Sequence, residues 1–263
     1  MSMHYIKAVF RVGGKILFDY FAWMRKYSKH PEKYPYELRY QKLRKLLVKL
    51  SNAMDVEYHV EGLENLPEGK CLIICNHLAA YDPLALISIM EKPVTFVAKK
   101  ELTKAPFVGR IIKSIEGLFI DRKDLKQSLR VMMKVEESLK GDDIQNWMIY
   151  PEGTRNKDPM KNMNRFHHGT FRPGTKAGVP IVPVAIYGTF RVLKAHPDFK
   201  KYPVHIKILK PVMPDEYESI ATPDLAAMVQ GMIQREVDFD LRKKDHLEMK
   251  KIGSKHYRFN QIL

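Results

Sequence analysis

After Asp55, short apolar runs bounded by turn residues alternate with longer stretches in which apolar residues recur every three or four positions. The runs predict strands over Val56–Glu61, Cys71–Cys75, Val94–Ala98, Leu118–Ile120, Trp147–Tyr150, Ile181–Tyr187 and Val204–Leu209. The stretches predict helices over Pro83–Met90, Pro106–Ser114, Leu125–Leu139, Thr170–Ala177 and Pro223–Lys250. The last has Thr222 as cap, Pro223 at the first position, and Leu225, Met228, Val229, Met232 and Ile233 on one face. This alternation predicts an α/β domain over residues 55–263: a central mixed, largely parallel sheet of about seven strands flanked by helices.

Residues 1–54 follow another pattern. Between Tyr5 and Met24 the charges fall at Lys7, Arg11, Lys15 and Asp19, a helical strip drifting by about 40° per step. The opposite arc collects Ile6, Val9, Phe10, Val12, Ile16, Leu17, Tyr20, Phe21, Trp23 and Met24, with Phe18 alone among the charges. An apolar face this wide, with aromatics near one end and Arg25-Lys26 after it, suits a helix lying in the lipid interface. His30-Pro31 and Tyr34-Pro35 break it, and a second helix begins near Tyr36. There Leu43, Leu46, Leu47, Leu50 and Met54 share one face, and Lys42, Arg44, Lys45 and Lys49 share the other. That basic face suits either anionic lipid or plain solvent over a helix packed on the domain.

Charge sharpens the picture. The chain carries +15, and residues 1–54 hold twelve Lys or Arg against Asp19, Glu32 and Glu37, so +9 lies in the first fifth. An anionic partner follows. Nucleic acid is disfavoured, because the aromatics track an apolar stripe and do not interleave with the cations as stacking platforms. No uncharged stretch reaches the roughly 20 residues of a membrane-spanning helix, and no cleavable signal peptide stands out. Cys71 and Cys75 share one strand face and read as buried small hydrophobes in a reducing compartment. No metal and no cofactor are called for.

Candidate chemistry lies where predicted strands end. Asn76-His77 follows the Cys71–Cys75 run, and Asp82-Pro83 comes five residues after His77. On one continuous helix the two side chains would point about 140° apart, so pairing needs His77 in the turn and Asp82 in the first helical turn. An aspartate on one ring nitrogen fixes the tautomer and frees the other to take a proton from a hydroxyl. A second block, Gly117-Leu118-Phe119-Ile120-Asp121-Arg122, ends in an arginine. A third, Tyr150-Pro151-Glu152-Gly153-Thr154-Arg155, turns tightly at a glycine. The fourth, Val179-Pro180-Ile181-Val182-Pro183-Val184-Ala185, is an apolar strand opened by prolines. Taken singly, Arg122 could pair with Asp121 or Asp124, and Glu152 with Arg155, as ordinary surface ion pairs.

Together the four blocks resemble the glycerophospholipid acyltransferase family, most closely its bacterial 1-acylglycerol-3-phosphate acyltransferases. The resemblance runs from about Val60 to Ile186, with Phe166-His167-His168-Gly169 and Ala177-Gly178 in support. The N-terminal helix pair looks like the membrane-docking element of bacterial members. Ala79 departs from the serine the family often has there.

The resemblance implies transfer of a fatty acyl group from an acyl-carrier protein or acyl-CoA thioester to the 2-hydroxyl of lysophosphatidic acid. It implies His77 as base, Asp82 as its orienter, and Arg122 and Arg155 as the phosphate grip. Lys100, preferred over Lys99, would add a third cation, and Glu152, Gly153 and Thr154 would shape the glycerol region. The sequence does not place the oxyanion donors; a backbone amide near Val182–Val184 is one candidate. The implied location is the cytoplasmic face of the cell membrane, held peripherally or monotopically. Glycerol 3-phosphate or another lysolipid is the alternative acceptor, and a catalytically inert basic membrane-surface protein is the alternative class.

Overall fold

The computed structural model describes residues 3–194 and 200–252, with only the backbone for residues 3–9, 106 and 194. The side chains of Tyr5, Ile6, Lys7 and Val9 thus lie outside the described residues. Helix α1 (Met3–Asp19) continues through a π-helical turn, Tyr20–Met24, into α2 (Arg25–Lys29), and α3 (Tyr36–Ala53) follows. Then come β1 (Val56–Glu61), β2 (Leu72–Cys75), α4 (Asp82–Ile89), β3 (Val94–Lys99), α5 (Pro106–Ser114), β4 (Leu118–Ile120), α6 (Leu125–Lys140) and β5 (Asn146–Ile149). The chain goes on through α7 (Arg172–Ala177), β6 (Ile181–Tyr187), α8 (Thr189–Lys194), β7 (Tyr202–Ile208), α9 (Pro214–Tyr217), α10 (Thr222–Glu236), a π turn, and α11 (Arg242–Ile252).

The strands form one sheet in the order β1-β7-β6-β2-β5-β3-β4. Every pairing is parallel except β6 with β7. β2, β5 and β6 are buried at every position, as continuous apolar runs between helix-covered faces require. Helix α3 packs on α4 and α5, α6 on α7, and α10 and α11 on β6 and β7. Both cysteines are free and buried, and burial pushes the Cys71 thiol up to about 12.

Two sequence expectations change. The first concerns α1. Trp23, Met24 and Tyr27 are buried in the main core, so the exposed apolar arc is narrower than the periodicity suggests. The π turn widens one helical turn and rotates the following residues inward. The charged strip is not merely solvated either. Asp19 is buried and takes Lys15 Nζ on both oxygens at 2.8 and 2.9 Å, while Arg11 reaches Asp55 at 2.9 Å and the Ala53 carbonyl at 3.2 Å. What faces outward is Phe10, Leu17, Phe18 and Phe21, with Phe107 of α5 against Tyr20. Phe18, the exception in the sequence pattern, belongs to the outward face. In α3, Tyr40, Leu43, Leu46 and Leu47 are buried in the common core; Lys42, Lys45 and Lys49 are exposed and Arg44 is half-buried, while Arg39 is buried and donates to the Tyr34 and Ser114 carbonyls.

The second concerns α10. Its N-cap is Ala221, without a side-chain cap bond, and Thr222 is already helical. Met228 is exposed and Ala226 takes its place on the buried face.

Candidate active site

Parallel pairing brings the carboxyl ends of β2, β5, β3 and β4 side by side at one edge of the sheet. In open α/β sheets ligands sit beyond such ends. Ile74 pairs with Ile149, which carries His77 level with Glu152 two and three residues past the strands. Asn76 makes this possible. Its side-chain amide donates to the Ile186 carbonyl at 2.9 Å and accepts from the Ile186 N–H at 2.8 Å, ending β2 with both polar groups satisfied. The backbone then turns away from the sheet at His77.

His77 Nδ1 lies 2.7 Å from Asp82 Oδ2, the aspartate being fully buried at the first residue of α4. The same oxygen accepts the backbone N–H groups of Leu78 at 2.8 Å and Ala79 at 2.9 Å. An ionised carboxylate only accepts, so Nδ1 carries the proton and Nε2 is left with its lone pair. The imidazole is 15% exposed, enough to meet a ligand yet held on one side by the Tyr150 ring at 4.4 Å.

Residues 150–156 wrap the backbone of His77. Its N–H donates to Glu152 Oε1 at 2.7 Å, and its carbonyl accepts the Asn156 N–H at 2.7 Å. Glu152 Oε2 accepts both N–H and Nδ2 of Asn164, each at 3.0 Å. Burial raises the Glu152 pKa, opposed by those N–H donors and by His77. The sequence reading set Glu152 against the glycerol region. With 2% exposure and both oxygens engaged internally, it braces the histidine instead. Gly153 has φ of +65° in the turn, and a Cβ there would meet the His167 ring at 3.1 Å, so both conformation and space select glycine. Thr154 is exposed on the same loop.

Arg122 and Arg155 project from the ends of β4 and β5, exposed, and neither makes a hydrogen bond or ion pair among the described residues. The dull pairings do not form. Asp121 takes Lys100 Nζ at 3.1 Å, Asp124 caps α6 through the Gln127 N–H at 2.9 Å, and Glu152 is turned inward. Lys100 begins a 3-10 turn with an exposed side chain, and Lys99 pairs with Glu101 at 3.1 Å. Val182–Val184 lie inside β6, all three in register with β2 and Val184 also with β7, and Pro183 has no amide N–H.

Sequence reasoning missed Asn156 and Asn164, both within a polar loop that gave no hint of folding back on His77. It also missed a buried hydroxyl triangle. Ser51 Oγ lies 2.8 Å from the Tyr58 hydroxyl and 2.7 Å from that of Tyr81, and the two tyrosine hydroxyls are 2.9 Å apart. Tyr81, inside the first block, thereby anchors the turn between His77 and Asp82 to α3 and β1. A bulky tyrosine between two apolar segments was the available signal.

The arrangement sets the His77 imidazole on a buried carboxylate, with Arg122 and Arg155 unpaired among the described residues in the segments after β4 and β5. Residues 57–187 match the family model described as Acyltransferase. A probable 1-acyl-sn-glycerol-3-phosphate acyltransferase of Mycoplasma pneumoniae is 28% identical over 215 residues, covering 77% of this chain and 79% of that one. The 1-acyl-sn-glycerol-3-phosphate acyltransferase of Pseudomonas aeruginosa is 35% identical over 132 residues, 49% of each chain. The crystal structure of the 1-acyl-sn-glycerophosphate acyltransferase of Thermotoga maritima superposes with a TM-score of 0.65 at 25% identity, covering 96% of this chain and 95% of that one. The chain belongs to the acyltransferase family.

Proposed function

We propose that the protein transfers a fatty acyl group from an acyl thioester to the 2-hydroxyl of 1-acylglycerol 3-phosphate, forming phosphatidic acid. The observation that carries the reading is the 2.7 Å His77–Asp82 contact, which engages Nδ1 and leaves Nε2 to accept a proton. Nε2 takes the hydroxyl proton as the substrate oxygen bonds to the thioester carbonyl carbon. Asp82 holds the ring in place and offsets the imidazolium charge. Collapse of the tetrahedral intermediate breaks the C–S bond, and the imidazolium proton goes to the departing thiolate. A thiolate leaves readily and the alcohol is the nucleophile, so no acyl-enzyme is needed.

The acceptor's phosphate fits Arg122 and Arg155, whose forks match phosphate oxygens, with Lys100 beside them once it lets go of Asp121. A charge-assisted hydrogen bond contributes about 1.5–3 kcal/mol. Arg122→Ala and Arg155→Ala should therefore each raise KM for lysophosphatidic acid by roughly 10–100-fold. An unchanged KM in both would remove the grip from the account. The donor is an acyl-carrier protein or acyl-CoA, both anionic and suited to a chain of +15.

No helix among the described residues is long and apolar enough to cross a membrane. Within residues 1–54 the outward face of α1 is the membrane contact, its Phe10 86% exposed and its rim supplied by Arg25 and Lys26. It docks the protein on the cytoplasmic leaflet, where the acceptor enters sideways. Burying one such aromatic in lipid is worth about 1.5–3 kcal/mol. Leu17, Phe18 and Phe21 all changed to serine should cut sedimentation with anionic vesicles by at least about 100-fold while stability holds. Undiminished binding would exclude this face.

A further inference from the structure

Away from His77, the edge of the sheet under α11 is polar. Glu57 and His59 share one face of β1, and His205 of β7 stands directly opposite His59. The two imidazoles stack with centroids 4.8 Å apart and planes 20° from parallel. From α11, Glu248 brings one carboxylate oxygen to 2.9 Å from His59 Nε2 and the other to 3.4 Å from His205 Nε2. Ligand atoms of Glu57, His59 and Glu248 all lie within 4.8 Å of one another.

His205 decides how to read this cluster. It is only 4% exposed, and its Nε2, 3.4 Å from Glu248, makes no hydrogen bond; the Nε2 of His59 has Glu248 at ion-pair distance but likewise outside hydrogen-bond geometry. A buried ring nitrogen without a hydrogen bond is costly unless another group uses it. An acidic surface cluster alone would not call for a ligand. Two imidazoles, one of them buried, converging on one carboxylate do.

We propose that Glu57, His59, His205 and Glu248 form a binding site for a divalent transition-metal ion of the zinc type. Two imidazole nitrogens and two carboxylate oxygens suit such an ion, whereas calcium and magnesium prefer oxygen alone. Metal–ligand bonds of about 2.0–2.2 Å set ligand atoms roughly 3.4 Å apart; Glu57, His59 and Glu248 lie within 4.8 Å of one another, and His205, 3.4 Å from Glu248, joins them by a side-chain shift. Glu57 must leave Lys201, now at 2.7 Å, but that pair is exposed and contributes little. Asp245, 3.8 Å from His205 Nε2, is held by Arg191 and stays outside the ligand set. The ligands come from β1, β7 and α11, so the ion fastens α11 to the edge of the sheet. β1 is three strands from β2, about 14 Å away, which separates this site from the base.

The test uses untagged protein stripped with a chelator and titrated with zinc or cobalt chloride. One equivalent should bind, cobalt should give the visible absorption of a tetrahedral nitrogen–oxygen site, and Tm should rise by roughly 5–10 °C at a hundredfold excess over Kd. In His59→Gln and Glu248→Gln both signals should vanish while the chelated Tm stays near that of the parent. Glu57→Gln, at the most solvent-exposed of these ligands, supplies a folded variant whatever happens to the other two, and should weaken binding at least tenfold. Absence of saturable binding would overturn the proposal. Binding that persists in these variants would do the same, because it would assign the ion elsewhere, for example to the adjacent His167 and His168.

Discussion

Changing His77 to alanine should lower turnover with lysophosphatidic acid by about 10²–10⁴-fold, the usual worth of a positioned general base. The loss should fall on kcat, since the imidazole acts on the reacting oxygen and does not hold the phosphate. Stability should barely move. The ring packs only at the edge of the site, against Tyr150, and the brace around it runs through backbone groups, which alanine retains: the N–H to Glu152 and the carbonyl to Asn156. Asp82 keeps the Leu78 and Ala79 N–H groups as partners. Vesicle binding should persist too, because the outward face of α1 is a separate surface. A variant with near-normal kcat would show that another group deprotonates the hydroxyl.

The largest effect on stability should come from Asp245→Ala. Arg191 is almost wholly buried beneath α11, and Asp245 faces it with both carboxylate oxygens, Oδ2 lying 3.0 Å from Nη1. Burial raises the Asp245 pKa while the guanidinium opposes it, as expected of a charge taken out of water to meet another. A pair of this kind adds little net stability over an apolar pair, yet removing one partner strands the other. The expected loss is about 3–5 kcal/mol in urea unfolding. A loss under about 1 kcal/mol would mean that Arg191 relaxes to solvent, and that α11 is not fastened as described.

Much of the fold could be read from local pattern. β1, β4 and β6 begin and end where the sequence predicts; β6 is buried at every position, as an unbroken apolar run requires, whereas β1 and β4 are only half-buried and are marked by β-branched and aromatic residues between turns. Order in the sheet could not be read. β1 pairs with β7 across about 150 residues, and β7 alone runs against its neighbour β6, which no local signal encodes. On α1 the periodicity was right in kind but misassigned Trp23 and Met24, since a π turn shifts the register without a mark in the sequence. The reversal at Glu152 has a similar origin. A carboxylate next to a glycine turn looks ready for a ligand, and only the fold reveals that the His77 N–H and Asn164 claim it. The His77–Asp82 spacing was informative because five residues fit a turn followed by a helix start, and little else brings the two side chains together.

Direct transfer by an oriented imidazole is the central claim, and it is tested by incubating the protein with a labelled acyl thioester, first alone and then with lysophosphatidic acid. The account predicts no label on the protein in either case, and labelled phosphatidic acid only when the acceptor is present. A stable acyl-protein adduct that passes its label to the acceptor, or no phosphatidic acid from either carrier-protein or coenzyme A donors, would contradict it.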